Sequence, residues 1–121
     1  LMVMGCGRLF EGTPEDMWKS LNKLKQMPED IMIYSGHEYT KSNIEFAKTV
    51  DPKNKKLEAR KVKELEKIKK GTPTVPSSLR EELDTNPFLR ESHPSIIDHL
   101  HIENLDPISR FAKIRALKDS F

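Results

Sequence analysis

The chain has 121 residues, 36% apolar and 33% charged, which suits one modest folded core and excludes a disordered chain. Its formal charge of +2 is close to neutral for this length, so bulk electrostatics give no pointer to nucleic acid. No run approaches the roughly 20 apolar residues of a membrane span, four apolar residues at the start are too few for a signal-peptide core, and the single cysteine, Cys6, rules out an internal disulfide and favours a reducing compartment.

Leu1-Met2-Val3-Met4 begins at full apolar strength with no turn or cap before it. It reads as the end of a buried strand entered partway, and the chain as the C-terminal portion of something longer. Gly5-Cys6-Gly7 follows as a close-approach loop whose backbone N–H groups can face a ligand. Thr13-Pro14-Glu15-Asp16 offers an N-cap, a proline in the first helical position and acids in the first turn, while Met17, Leu21 and Leu24 recur at helical spacing. A helix is therefore predicted from about residue 14 to 26, with Trp18 in the core or in a seam between helices. Pro28-Glu29-Asp30 breaks it, Ile31-Met32-Ile33-Tyr34 reads as a strand, and Thr40 is placed as the cap of a second helix carrying Ile44, Ala47 and Val50. Strand, helix, strand, helix in this order predicts a parallel βαβ unit.

After Asp51-Pro52 the character changes to a long charged helix, predicted from about residue 52 to 70 and closed by Gly71. The prolines of "TPTVPSSL" demand extended backbone, Ser78 and Glu81 are spaced as a capping box, and Asn86-Pro87-Phe88 ends the short helix they start. Asp106-Pro107 opens a final helix. A boundary near residue 50 divides an α/β end, residues 1–50, from a helical region, residues 51–121.

Several residues invite a chemical reading. His37 in "SGHEYT" stands beside a glycine at the exit of the predicted strand, where a ligand or metal-binding side chain is commonly placed, although a hydrogen-bonded turn residue has the same signature. In the final helix the stripe Ile108, Phe111, Ala112 continues as Arg115 and Lys118, so two cations three residues apart share one face beside apolar surface. That arrangement suits a carboxylate clamp, and equally two side chains snorkelling near a helix C-terminus. The run from residue 53 to 70 holds nine Lys or Arg against three Glu, but without interleaved aromatics it reads as a solvated helix packed on one side rather than a phosphate grip. Asp98-His99-Leu100-His101, with His93 nearby, has the residue types of a metal site, yet helical positions two apart diverge, so a surface pair is expected.

The segments "GCGRLFEGTPEDMWKSL", "YSGHEYTKSNIEFAK", "GTPTVPSSLREELDTNPFLR" and "IRALKDSF" together resemble, in order and spacing, the C-terminal part of glyoxalase II, the hydroxyacylglutathione hydrolases of the metallo-β-lactamase superfamily. The likeness covers nearly the whole chain and is weakest over residues 91–106. It implies an α/β fold in which the end of an αββα sandwich is followed by a mostly helical C-terminal domain. It also implies hydrolysis of S-D-lactoylglutathione and related thioesters at a dinuclear site of two divalent metals, zinc or else iron or manganese. By the same resemblance His37 matches a late histidine ligand to one metal, and Tyr39 a tyrosine that hydrogen-bonds glutathione. Arg8 and Phe10 fall at positions that contact glutathione, Phe10 where many members have tyrosine. Arg115 and Lys118 match a basic pair on its glycine carboxylate. The implied partner is a glutathione thioester, with neither nucleic acid nor membrane, and the implied location the cytoplasm or mitochondrial matrix.

The family's H-x-H-x-D-H cluster is absent from these residues, so one metal ligand is visible and the chain alone is expected to be inactive. The competing reading is a truncated, non-catalytic module that keeps a helical substrate-binding or interaction surface.

Overall fold

Local capping sets most of the element boundaries in the computed structural model, which describes residues 1–121. The Thr13 hydroxyl accepts from the Asp16 N–H while the Asp16 carboxylate accepts from the Thr13 N–H, and this reciprocal cap starts α1, Pro14–Lys25. Strand β1 is Met32–Ile33, and α2, Thr40–Val50, buries Ile44, Phe46, Ala47 and Val50. Asn54 caps α3, Lys55–Lys69, by accepting from the N–H groups of Lys56 and Leu57. Strand β2, Ser77–Ser78, runs straight into α4, Leu79–Thr85, through the expected box of Ser78 and Glu81. A 3₁₀ turn at Pro87–Leu89, helix α5 at Pro94–Leu100 and helix α6 at Pro107–Asp119, capped by Asp106, complete the chain.

The architecture is mostly helical, and the α/β expectation is corrected in its details. β1 pairs antiparallel with β2, Met32 opposite Ser78 and Ile33 opposite Ser77, so no parallel βαβ unit forms and the sheet has two short strands. The Leu1–Met4 run is not a strand. Met2 and Gly5 exchange backbone hydrogen bonds of 2.9 and 3.1 Å around Val3 and Met4, and Met4 adopts φ +53°. A left-handed non-glycine costs about 1–2 kcal/mol, here offset by tertiary contacts that use the turn. Thr40 does not cap α2 either: Tyr39 is the cap residue, without a side-chain bond, and the Thr40 hydroxyl lies 2.6 Å from that of Thr74. The charged helix begins three residues later than Asp51-Pro52 suggests, because Asp51 is buried and accepts from Asn54, Ser95 and Arg90 instead of capping it.

One core cluster joins Cys6, Leu21, Phe46 and Val50 to Leu79, Phe88, Ile96, Phe111 and Ile114, so residues 1–50 and 51–121 pack on each other. A smaller cluster sets Val3 and Met4 against Ile44, Ala47 and Leu57. Trp18 sits in the seam, its indole N–H donating to Glu91 at 3.1 Å.

Between the two clusters lies the fully buried carboxylate of Glu82. It accepts from the Met4 N–H at 2.8 Å, the Ser77 hydroxyl at 3.1 Å, the Asn86 amide at 3.2 Å and the Arg60 guanidinium. Arg60 is itself buried and also donates to Thr85 and Ser77. Asn86 passes the connection on, its amide donating to the carbonyls of Met2 and Gly5 at 3.3 and 3.0 Å, while the Asn43 amide donates to Val3 at 3.0 Å. Truncating one member of such a pair leaves a buried charge without its partner, so Arg60→Met is expected to cost about 3–5 kcal/mol in urea denaturation of the complete protein. Lys19→Met, which removes an exposed i,i+4 partner of Glu15, is expected to leave the urea midpoint nearly unchanged. Equal losses would show that the buried cluster has no special weight.

Candidate functional site

A cavity of about 460 Å³ opens where the Gly5–Phe10 segment, the β1–α2 loop and α6 meet. All six residues singled out from the sequence line it: Arg8, Phe10, His37, Tyr39, Arg115 and Lys118. They come from three separate stretches, yet line one cavity. Met2, Cys6, Gly7, Ser42 and Asn43 complete the lining. Ser42 and Asn43 were not anticipated as site residues, although they follow Tyr39 by three and four positions and so lie on its face of α2. Gly5 is pressed against Asn43, whose side-chain amide would stand 2.6 Å from an added Cβ, so the turn that leads into the site has no room for a side chain there.

The β1–α2 loop is held by Glu38 rather than by its histidine. The Glu38 carboxylate accepts from the Thr74 N–H at 2.8 Å, the Thr74 hydroxyl at 2.6 Å and the Val75 N–H at 3.2 Å. Burial pushes this carboxyl up, but the donations from Thr74 and Val75 outweigh it and hold it below the usual glutamate value. Glu38 is therefore committed to the loop and does not orient His37. The His37 ring instead stacks on Tyr39, with centroids 5.2 Å apart and planes within 3°, as side chains two apart in extended backbone can do. Both rings are exposed, and neither imidazole nitrogen of His37 is hydrogen-bonded within the chain. Phe10, 87% exposed, stands at the opening with no hydroxyl to offer.

On the α6 side the two cations behave differently. Arg115 is 3% exposed. Its Nη1 donates to the carbonyls of Cys6 and Gly7 at 2.9 and 3.2 Å, its Nε and Nη2 approach Asp119 at 3.0 and 2.9 Å, and its guanidinium lies 5.0 Å over the Phe88 ring. Lys118 is half-buried between Phe46 and Phe121, 5.7 and 5.2 Å from their ring centres, and donates to the Ser42 hydroxyl at 2.9 Å. Burial, then the charges of Arg115 and Arg8, push the Lys118 ammonium below the ordinary lysine value against the opposing pull of Glu45 and Asp119. Burial likewise raises the Cys6 thiol, so it is a poor nucleophile despite its place in the lining. Arg8 is exposed and makes no hydrogen bond or ion pair. The arrangement offers unneutralised positive charge, two aromatic faces and a free imidazole: equipment for an anionic ligand with an adjoining reactive group.

The metal expectation meets a limit in the chain itself. No group of three His, Cys, Asp or Glu side chains is clustered for metal binding, so His37 is one donor and these residues by themselves hold no dinuclear centre. The other histidines are structural: His93 caps α5, the His99 ring bonds the Thr49 carbonyl at 2.9 Å, and His101 takes the left-handed position that ends α5. The basic run of α3 is laced with ion pairs, Lys63 to Glu81 of α4, Lys67 to the buried Glu64 and Lys70 to Glu66 on the exposed face among them, so several of its charges are already partnered. No helix is long and apolar enough to cross a membrane.

Comparison with known proteins adds a family to this geometry. A family model described as "Hydroxyacylglutathione hydrolase C-terminus" matches residues 38–121. A protein of Ruegeria pomeroyi named hydroxyacylglutathione hydrolase is 52% identical over 121 residues, which cover 100% of this chain and 48% of that protein. One of the same name from Nostoc sp. is 48% identical, covering 100% of this chain and 46% of its own length. The chain thus spans about half the length of the curated relatives it matches. One cavity lined by residues as far apart as 8 and 118, a matching family model and whole-chain identities near one half converge on one assignment: the chain belongs to the hydroxyacylglutathione hydrolase family and corresponds to its C-terminal part.

Proposed function

We propose that this chain forms the glutathione-holding side of a hydrolase that cleaves S-D-lactoylglutathione and related 2-hydroxyacyl thioesters to a 2-hydroxy acid and glutathione. The observation that carries this reading is the convergence of Arg8, Phe10, His37, Tyr39, Arg115 and Lys118 on one cavity. Glutathione is a peptide with carboxylates at both ends, and the free charges of Arg8 and Lys118 suit one of them. Charge-assisted hydrogen bonds of that kind are about twice as strong as neutral ones. The stacked Tyr39 and the exposed Phe10 offer flat apolar surface to the peptide backbone, and the Tyr39 hydroxyl a hydrogen bond. Binding the tail at a distance assists the reaction by orienting the thioester.

His37 offers an imidazole nitrogen to one of two divalent metals, zinc or else iron or manganese, whose remaining ligands come from outside these residues. Such metals, when bound, supply Lewis-acid activation of water and of the carbonyl. In this reading the α/β sandwich of the superfamily precedes the helical part, with residues 1–50 as its end and residues 51–121 as the glutathione-binding domain. The lack of any three-ligand cluster favours a second reading for the 121 residues taken alone, a binding module without turnover. Hydrolysis of S-D-lactoylglutathione by the complete protein, set beside the chain alone, separates the two.

Replacing Arg8 or Lys118 by alanine in the complete enzyme is expected to raise KM about tenfold with kcat changed less than about twofold, as loss of a charged hydrogen bond of ~1.5 kcal/mol implies. Steady-state kinetics check this, and an unchanged KM would make the pair plain surface charge. Because the Lys118 ammonium is already pushed below the ordinary lysine value, calorimetric affinity for glutathione is expected to fall at a lower pH than an unperturbed lysine would give. The bound form is the protonated one, so affinity holds below the lowered value and is lost as pH rises through it; Lys118→Ala should remove that limb of the profile. His37→Ala is expected to lower metal content of the purified complete protein from two per chain towards one, by elemental analysis. Unaltered stoichiometry would remove His37 from the ligand set.

A further inference from the structure

Between β1 and α2 the chain has little backbone support of its own. Residues 35–38 make no backbone–backbone hydrogen bond, and the Ser35 hydroxyl reaches the His37 carbonyl only at 3.4 Å. Gly36 has no atom within 4 Å of the position a Cβ would take, so packing adds nothing there. Yet this is the stretch that brings His37 and Tyr39 to the cavity.

What holds it is Glu38, which does not line that cavity. Successive side chains of extended backbone alternate, so Glu38 turns to the segment before β2 while His37 and Tyr39, whose rings stack, turn together to the cavity. The pairing of Ile33 with Ser77 sets that segment and the loop side by side at one end of the sheet. Pro73 and Pro76 fix its φ angles and carry no N–H, which leaves two backbone donors between them, Thr74 and Val75. Both go to one oxygen of Glu38, at 2.8 and 3.2 Å. The other oxygen takes the single proton of the Thr74 hydroxyl, so the Thr40 hydroxyl, 2.6 Å away, is the donor to Thr74. A chain of hydroxyls from the first residue of α2 to Glu38 thereby closes around the loop. The segment is itself held at both ends, by the Thr72 N–H on the Lys67 carbonyl at 2.9 Å and by Ser77 in the sheet.

We infer that Glu38 is a positioning residue for the reaction proposed above: its grip on Thr74 and Val75 sets the loop so that the His37 imidazole and the Tyr39 ring stand together at the cavity. It makes no hydrogen bond to the His37 ring and acts through the backbone on either side of itself. The segment from Pro73 to Pro76 is then part of the site's machinery while lining none of it. This assignment rests on His37 as a metal donor and Tyr39 as a glutathione contact.

The test compares Glu38→Ala and Glu38→Gln in the complete protein. Glu38→Ala is expected to lower kcat about tenfold, to raise KM for S-D-lactoylglutathione severalfold, and to reduce metal content in the direction His37→Ala does. Loss of folded protein alone would lower the apparent kcat and leave KM where it was. Glu38→Gln keeps a carbonyl oxygen for the two N–H groups and, with the hydroxyl chain reversed, an amide for Thr74, so it should stay within about threefold of the parent in kcat/KM. If Glu38→Gln is as damaging as Glu38→Ala, the charge and not the grip is what matters, and the inference is overturned. A ligand-free measurement addresses the grip directly: amide hydrogen exchange at Thr74 and Val75 should accelerate about tenfold in Glu38→Ala while the amides of α6 remain protected. Unchanged exchange defeats it. Faster exchange with metal content, kcat and KM unaltered, in a protein where His37→Ala and Tyr39→Phe do alter them, overturns the positioning role alone; if those two variants are silent as well, the site reading fails and the inference with it. Should Glu38→Ala not fold, Thr74→Val, which removes only the hydroxyl, is expected to shift kcat, KM and metal content the same way by a smaller factor, and a shift in none of them overturns the inference.

Discussion

The carboxylate of Glu82 is the point through which the first turn of the chain is joined to α3, β2 and α4. It is fully buried, and an isolated charge in that position would be prohibitively costly, so its four donors are conditions of its existence there. Those donors come from the first turn of the chain, from α3, from β2 and from the residue that closes α4. No hydrophobic contact could demand that particular set, because apolar packing is tolerant of register whereas a hydrogen-bonded charge is not. The left-handed Met4 is a visible consequence: its N–H must point at Glu82, and the backbone bends into an unfavoured region to let it.

From that anchor the site follows in a few steps. With Met4 and Gly5 held, the chain passes through Cys6 and Gly7 under the guanidinium of Arg115 and emerges at Arg8. Phe46 stacks on Phe88, Phe111 of α6 meets Phe88 edge-on, and the two cations ride on this aromatic cluster, Arg115 over Phe88 and Lys118 between Phe46 and Phe121. Cation–π attraction and burial restrict both side chains, which limits the rotamer entropy a ligand would otherwise have to remove. The opposite rim, with His37 and Tyr39, is set independently by Glu38 gripping Thr74 and Val75.

What was legible in the sequence was whatever is decided within a few residues. The Thr13 cap, the Ser78/Glu81 box, the Asp106 cap and the helical stripe ending in Arg115 and Lys118 are all short-range chemistry, and all are present in the fold. Illegible was whatever depends on a distant partner. An apolar tetrad such as Leu1–Met4 looks like a strand until one knows that a carboxylate 78 positions away takes its N–H. Likewise β1 announces extended backbone but not that its neighbour is Ser77–Ser78, antiparallel and two residues long. Thr40 and Asp51 have the composition of caps, and each is diverted by a tertiary hydrogen bond worth more than the cap. For the site, periodicity could place two cations on one face of α6; that one of them spends its donors on carbonyls 108 and 109 positions away is a fact of tertiary structure.

Gathering Arg8, Arg115 and Lys118 around one cavity raises an energetic question, since like charges at short range repel by an amount that grows as solvent is excluded. Asp119 answers for Arg115, which leaves Arg8 and Lys118 as the unneutralised pair. Burial first, then the charges of Arg115 and Arg8, lower the proton affinity of Lys118, and Glu45 and Asp119 do not restore it. An anion entering between them gains its own attraction to each and also relieves the repulsion already stored there, whereas a neutral ligand of the same shape gains neither. Discrimination of that kind needs no additional contact. It depends on the two free charges being held near each other while the third is sealed away, and the burial of Arg115 against Phe88 and the loop carbonyls is what keeps the count at two.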